Sequence, residues 1–473
     1  MNYYNRYAYN YSYNQNFNQT KIPKNRYNNN GPIKPKIIQN LPSNIQTINL
    51  NNIQNKNQQN ALRPAYKEPT MKSNRRISQV TQQPKKKLDT VKINQKRREF
   101  SNGTIGLLNI GNTCFLNAAL QNLKNTFILT KNLLVDCSDI NFPEFTNQFR
   151  HLLANLINQD SQQYFSPNKF YSQLINMTNL FSYGNQNDSN FCIIYILSVL
   201  ANELKNFKPF IKIDYSPIYF ISKINDDNLK KEKFRIFFEK YREKRQSPII
   251  DNFYGFQLDV YKCENKMCNY INYTFQIISV LNLPIVDRNN KKINGLKEAI
   301  KYYQEKVYHI NEKDFYCKKC NVFQISTQSI LISLPKILII NLKRIGEKDF
   351  YSHNLEIPMN FESKDIAVNS NGENLQYELN GFIKHYGGAK SGHNIAICNN
   401  FFDSIWYEYD DSRVKSIYNS KNYIDNKKLI IDLTNAFLFF YILNNKNQIE
   451  TNINSNILKM IAEKAQEIRN KFN

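Results

Sequence analysis

GLLNIGNTCFLNAALQNL, residues 106–123, is the stretch on which the reading of this chain turns. It holds a glycine turn at Gly111, the polar pair Asn112 and Thr113, and then Cys114. After the cysteine, Leu116, Ala119, Leu120 and Leu123 recur at three- and four-residue steps, one face of a helix. Asn112 and Thr113 are both N-cap types, so Cys114 is predicted to sit in the first helical turn. A thiol there faces unpaired backbone N–H groups and the positive end of the helix dipole. Both favour the thiolate, the nucleophilic form. The same pattern also fits a buried structural thiol, since free cysteine is among the most buried residue types. A base elsewhere in the chain decides between the two.

Five histidines are available: His151, His309, His353, His385 and His393. Two of them share HYGGAKSGHNIAI, residues 385–397, where Gly387, Gly388 and Gly392 make a flexible loop and His393 opens the strand HNIAIC. A second strand, WYEYDD, starts at Trp406 and ends in Asp410 and Asp411. If the two strands pair as a hairpin, Asp410 lies beside His393, where a carboxylate fixes the tautomer and steadies the imidazolium. Cys114, His393 and Asp410 together make a nucleophile, a general base and the group that orients the base.

Outward from these motifs the chain divides by texture. Of the net charge of +24, most belongs to residues 1–100, which hold 19 Lys and Arg against 3 Asp and Glu. That segment is rich in Asn, Gln, Tyr and Lys and lacks apolar periodicity, so it is expected to be a disordered, basic tail. Its clusters Lys85-Lys86-Lys87 and Lys96-Arg97-Arg98 fit a nuclear import signal, a nucleic-acid patch or a merely solvated basic linker. Order is predicted from Thr104, with helical patterns after Cys114, at 145–159 and at 191–204, and a basic exposed helix at 230–245. From Ile249 onward short β-branched runs bounded by turns read as strands, at 273–285, 329–345, 377–385, 393–398, 404–409 and 436–443. A helical half followed by a strand-rich half predicts an α+β enzyme. Residues 444–473 read as a linker and an amphipathic helix that docks on the domain or on a partner. No apolar run approaches the roughly 20 residues of a membrane helix. A soluble protein without a membrane partner is expected, in a reducing compartment, cytoplasmic or nuclear or both.

Two close cysteine pairs remain. Cys263 and Cys268 flank four residues, Cys317 and Cys320 flank two, and lysines lie near both pairs. Four thiolates at such spacings fit a tetrahedral zinc site if the two knuckles converge. With all four positions filled by cysteine the metal is structural, and no catalytic cofactor is expected.

These motifs, in this order, resemble the ubiquitin-specific proteases, the papain-like cysteine deubiquitinases. GLLNIGNTCFLNAALQ resembles the family's cysteine box, and YELNGFIKHYGGAKSGHNIAI with WYEYDDSRV its histidine box. LPKILIINLKRI, residues 334–345, and AFLFFYI, residues 436–442, resemble two of its core strand signatures. The resemblance spans residues 104–443 and implies a catalytic domain with a helical thumb, a β-rich palm and zinc-tipped fingers. By position it implies Cys114 as nucleophile, His393 as general base, Asp410 as its orienting partner and Asn109 as the donor to the oxyanion, with Asp411 secondary. Its implied partners are ubiquitin and ubiquitinated proteins. Two residues depart from the family pattern: Asn394 follows the histidine where an aromatic is usual, and Asn190 is read at the place of a glutamate. They motivate one alternative, a non-catalytic ubiquitin-binding module. The basic tail motivates another, an RNA-binding factor.

Overall fold

The computed structural model describes residues 103–138, 141–157, 163–205, 236–238, 241, 247–312, 315–344, 351–366, 374–388, 391–417, 424–425, 428–429, 433, 435–444 and 454–472. The basic segment 1–100 and almost all of the basic stretch at 230–245 lie outside the described residues.

The helical half begins with β1 (Gly106–Leu107) and α1 (Cys114–Lys124), and every residue of α1 is buried. Around it stand α2 (Phe127–Lys131), which runs into a π-helical turn at Asn132–Asp136, and α3 (Glu144–Leu156). They are followed by β2 (Tyr164–Phe165), α4 (Asn168–Met177), α5 (Ser189–Leu204) and α6 (Pro248–Phe253). β1 and β2 pair in parallel. Phe145, Phe149, Leu153, Phe170, Ile196 and Leu200 fill the space between the helices.

The strand-rich half alternates between two sheets. β3 (Gly255–Cys263) and β4 (Ile271–Ile278) belong to the first and β5 (Val280–Leu283) to the second. After α7 (Leu296–Tyr303), β6 (Val307–Ile310) and β7 (Gln324–Ser333) complete the first sheet, in the order β4-β3-β7-β6. β8 (Ile337–Leu342), β9 (Asn360–Glu362), β10 (Gln376–Gly388), β11 (Ser391–Asn400), β12 (Ile405–Asp410) and β13 (Arg413–Ser416) enter the second. A small hairpin, β14 (Ile424–Asp425) with β15 (Lys428–Leu429), precedes β16 (Ala436–Leu443). Among the described residues the second sheet has the order β13-β12-β11-β10-β16-β8-β5, with β9 beside β10.

The runs at 273–285 and 329–345 therefore each contain two strands. The chain changes sheet at Ser279 and again at Leu334-Pro335-Lys336. Pro335 carries no N–H for a ladder, so a break there has a local cause; at Ser279 no residue announces one.

The second sheet is covered on both faces, which explains its nearly unbroken apolar strands. Along β16, Leu438 and Phe440 join the core shared with the helices, while Phe439 and Tyr441 join a second core with Leu296 and Ile300 of α7. β10 alternates likewise, with Ile383 on the helical side and Phe382 on the other. α1 is thus packed between its helical neighbours and the sheet that carries the histidine hairpin.

The last helix, α8 (Ser455–Phe472), docks on this same domain, which decides between the two options its amphipathic pattern left open. Ile461 and Ala465 are fully buried, Arg469 Nη1 donates to the Ala154 carbonyl at 2.6 Å, and the Phe472 ring lies 4.9 Å from that of His151. Removing a fully buried isoleucine side chain usually costs about 2–5 kcal/mol. Ile461→Ala is accordingly expected to lower the unfolding free energy by that amount in a denaturant titration; a loss below about 0.5 kcal/mol would contradict the docking. Among the described residues no helix is long and apolar enough to cross a membrane.

Candidate active site

Thr113 occupies the N-cap position of α1, but at φ −93° and ψ 13° its backbone is not in the extended form a capping side chain needs, and its hydroxyl does not cap the helix. The hydroxyl turns back instead and accepts from the Ile110 N–H at 3.1 Å. The helix start is left open to the Cys114 sulfur, which is approached by its own N–H, by that of Phe115 and by that of Asn394. Cys114 is only 4% exposed. Burial pushes its thiol above the ordinary value and outweighs these N–H groups, and the Asp411 charge adds to the rise. The helix-start N–H groups do favour the thiolate, as expected, but desolvation is the largest influence on this thiol and outweighs them.

Five residues upstream, the Asn109 side chain organises the turn that delivers the cysteine. Its Oδ1 accepts from the Gly111 and Thr113 N–H groups at 3.1 and 3.2 Å. Its Nδ2 donates to Asp411 Oδ2 at 2.8 Å, and the other Asp411 oxygen accepts from Asn117 Nδ2 on α1, also at 2.8 Å. Asp411, secondary in the sequence reading, is thus the residue that ties the cysteine segment to the histidine segment. Its backbone is left-handed, with φ 50°, and its carbonyl accepts from the Leu107 N–H at 2.8 Å. Gly106 permits this approach: a Cβ there would lie 2.5 Å from the Ser412 carbonyl oxygen.

His393 is the third residue of β11 and faces Tyr386 across the β10–β11 hairpin. The glycines expected to form a flexible loop are mostly strand. Gly387 pairs with Gly392 and Gly388 with Ser391, so the histidine is held inside a ladder and not at its mouth. β12 pairs antiparallel with β11, Tyr409 opposite Ala396, which brings Asp410 back to the histidine. His393 Nε2 and Asp410 Oδ1 lie 2.5 Å apart, with both side chains about 40% exposed. The carboxylate engages Nε2, so Nδ1 is the ring nitrogen left to exchange a proton. Polar atoms of His393, Asp410 and Asp411 all fall within 4.8 Å of one another.

The segment before α5 reaches both the cysteine segment and the histidine hairpin. Asn112 Nδ2 donates to the Gly184 carbonyl at 2.6 Å. Gln186 grips the Gly392 peptide at both ends, accepting its N–H at 3.0 Å and donating to its carbonyl at 2.9 Å. The Asp188 side chain caps α5 by accepting from the Asn190 N–H at 2.8 Å. Asn190 itself is 6% exposed and donates to Asn282 Oδ1 at 3.3 Å, so this departure from the family pattern does not lie on the cleft surface. The exposed residue in the first turn of α5 is Phe191. Asn394 is also buried, with Oδ1 2.9 Å from His385 Nδ1.

At the far end of the first sheet, Cys263 closes β3 and Cys268 follows before β4, while Cys317 and Cys320 sit ahead of β7. All four sulfurs lie within 4.8 Å of one another, with Cys263–Cys320 and Cys268–Cys317 each at 3.7 Å. A tetrahedral ion with Zn–S bonds of about 2.3 Å needs sulfurs about 3.8 Å apart. The cluster has that shape, and none of the four is in a disulfide.

Residues 105–441 match the family model described as ubiquitin carboxyl-terminal hydrolase. The chain is 27% identical to ubiquitin carboxyl-terminal hydrolase 2 of Bos taurus over 351 residues, 72% of this chain and 55% of that protein. It is 24% identical to ubiquitin carboxyl-terminal hydrolase 21 of Homo sapiens over 343 residues, 67% of this chain and 59% of that one. The match thus spans little more than half the length of these curated relatives. Among solved structures, the SAGA Ubp8/Sgf11/Sus1/Sgf73 DUB module bound to ubiquitin aldehyde shares the fold, with a TM-score of 0.53 at 18% identity over 74% of this chain and 71% of that one.

Proposed function

The chain belongs to the ubiquitin carboxyl-terminal hydrolase family, and on that premise we propose that it is a thiol-dependent deubiquitinase that hydrolyses the peptide or isopeptide bond after the C-terminal glycine of ubiquitin. The observation that carries this reading is the Asn109–Asp411 bond of 2.8 Å beside the His393–Asp410 contact of 2.5 Å. Together they tie two segments some 300 residues apart, which supports reading Cys114, His393, Asp410 and Asn109 as one acyl-transfer site.

Each residue has a stated part. His393 Nδ1 takes the proton from Cys114, and the sulfur attacks the glycine carbonyl carbon. Asp410 holds Nε2 and stabilises the imidazolium. One hydrogen of the Asn109 amide is on Asp411, and the second serves the oxyanion of the tetrahedral intermediate. Collapse of the intermediate passes the proton from His393 to the leaving amine and leaves a thioester on Cys114. Water, deprotonated by His393, then releases the ubiquitin carboxylate and restores the thiol. Burial raises the Cys114 thiol above its ordinary value, which is the reason a base is assigned to it.

The cysteine cluster fits a structural zinc ion held by Cys263, Cys268, Cys317 and Cys320, which would fix the end of the four-stranded sheet. The departures at Asn190 and Asn394 favour no non-catalytic reading, because both side chains have inward partners and neither removes a group from the cleft.

The test is a ubiquitin vinyl-sulfone probe. The wild-type chain is expected to form a covalent one-to-one adduct, visible as a mass shift of one probe, and Cys114→Ala is expected to form none. A wild-type chain that stays unlabelled refutes the enzyme.

A further inference from the structure

His385 has no part in the chemistry above, yet its ring is wedged between the two residues that flank His393. On one flank is Gly392. A Cβ at that position would lie 2.4 Å from His385 Cε1 and 2.5 Å from Nε2, so the imidazole fills the space a side chain would need. On the other flank is Asn394, whose Oδ1 is 2.9 Å from His385 Nδ1 and whose backbone N–H reaches the Cys114 sulfur. The remaining ring nitrogen, Nε2, is 3.0 Å from the Gly388 carbonyl. A carbonyl only accepts, so Nε2 carries the proton; Nδ1 is then an acceptor, and it bonds the Asn394 carboxamide with the amide turned so that its NH2 group donates. The ring is 8% exposed, and the Asp188 carboxylate, the cap of α5, interacts with it electrostatically from the helical side.

These contacts have a common direction. Gln186 holds the Gly392 peptide, and His385 fills the space above the Gly392 Cα while it holds the Asn394 carboxamide. Asn394 is tied to His385 at its side chain, while its backbone N–H favours the Cys114 thiolate. The backbone of His393, the residue between Gly392 and Asn394, is therefore held from both sides.

We propose that His385 is a positioning residue of the reaction: by packing against Gly392 and bonding the Asn394 side chain it sets the placement of His393. It acts through its neighbours and not on the reacting atoms. The proposal deepens the deubiquitinase reading, and its consequence for the thiol is independent of ubiquitin. Displacing a reacting group by about 1 Å can cost on the order of 10²-fold in rate, so the effect of a loosened hairpin is measurable.

The experiment follows two readouts in His385→Ala, Asn394→Ala and the double variant. The first is the pH profile of Cys114 alkylation by iodoacetamide, followed on the Cys114 peptide by mass spectrometry. The second is kcat and KM on a fluorogenic ubiquitin substrate. Loss of the Asn394 N–H contact removes one of the groups that favour the thiolate, so the alkylation midpoint is expected to move to higher pH in both single variants. kcat is expected to fall about 10- to 100-fold with KM within about twofold. The double variant is expected to be no worse than the more severe single, because the two residues act as one limb.

An unmoved alkylation profile in folded His385→Ala, or additive losses in the double variant, overturns the proposal. A loss of kcat that merely tracks the melting temperature overturns it as well. If His385→Ala does not fold, Asn394→Ala alone decides, since an unmoved profile there breaks the same limb. A wild-type chain that turns over no ubiquitin substrate, but whose alkylation profile shifts as expected, would defeat the deubiquitinase reading and leave this one standing.

Discussion

Cys114→Ser is expected to bring hydrolysis of a ubiquitin-linked fluorogenic substrate down to background, a fall of at least about 10⁴-fold, with the fold intact. The substitution changes one atom in a site that is only 4% exposed, so packing is nearly preserved while the nucleophile is lost. A serine hydroxyl is far less acidic than a thiol, and the N–H groups at the open helix start do not make up that difference. His393→Ala is expected to fall as far. The double variant should fall no further than either single, since nucleophile and base act as a unit and neither works without the other. Turnover in Cys114→Ser within tenfold of wild type would show that the sulfur is not the attacking atom.

Cys317→Ser is expected to release about one zinc ion per chain and to melt the far end of the four-stranded sheet. Apparent binding free energies of structural zinc sites are about 10–16 kcal/mol near neutral pH, so an incomplete thiolate set forfeits a large contribution to local stability. The pairs Cys263–Cys320 and Cys268–Cys317 cross between the β3–β4 turn and the segment before β7, so the ion would be what holds those two knuckles together. Elemental analysis reads the metal. Hydrogen exchange reads the loss of order, which is expected in β3, β4, β6 and β7 and not in β10 or β11. The β10–β11 hairpin lies in the other sheet, and Cys114 alkylation should be unchanged. A wild-type chain purified without metal, at well under one zinc per chain, would retire the zinc reading.

What could be read from sequence follows the range of each interaction. The helix after Cys114 announced itself because its apolar spacing is local, and the Asp410–His393 meeting followed from pairing two neighbouring strands. The convergence of the four cysteines needed only their spacing and two turns. Asn109 was found through family resemblance and not by its own pattern, since an asparagine before a glycine is an ordinary turn residue. The contacts of Asp411 with Asn109 and Asn117, of Gln186 with Gly392 and of His385 with Asn394 were not foreseen. Three of these four contacts join residues about 200 or 300 positions apart, and no periodicity encodes them. The pull of the helix-start N–H groups on the Cys114 thiol is local and legible, whereas the burial that outweighs it comes from the whole domain. The sheet change at Ser279 likewise has no residue of its own to mark it, unlike the one at Pro335.

The uncapped start of α1 constrains how this protein can be engineered. Replacing a poor N-cap is a standard route to a more stable helix, worth about 0.5–2 kcal/mol where it succeeds. Here a capping side chain would require Thr113 to rotate out of its φ −93°, ψ 13° conformation. That rotation would pull the Thr113 N–H away from Asn109 Oδ1 and release the turn on which the Asn109 amide depends. A cap once formed would also compete with sulfur for the first-turn N–H groups. Stabilising substitutions in this domain are better placed on the exposed faces of α7 and α8, because at the start of α1 thermostability and turnover draw on the same few N–H groups.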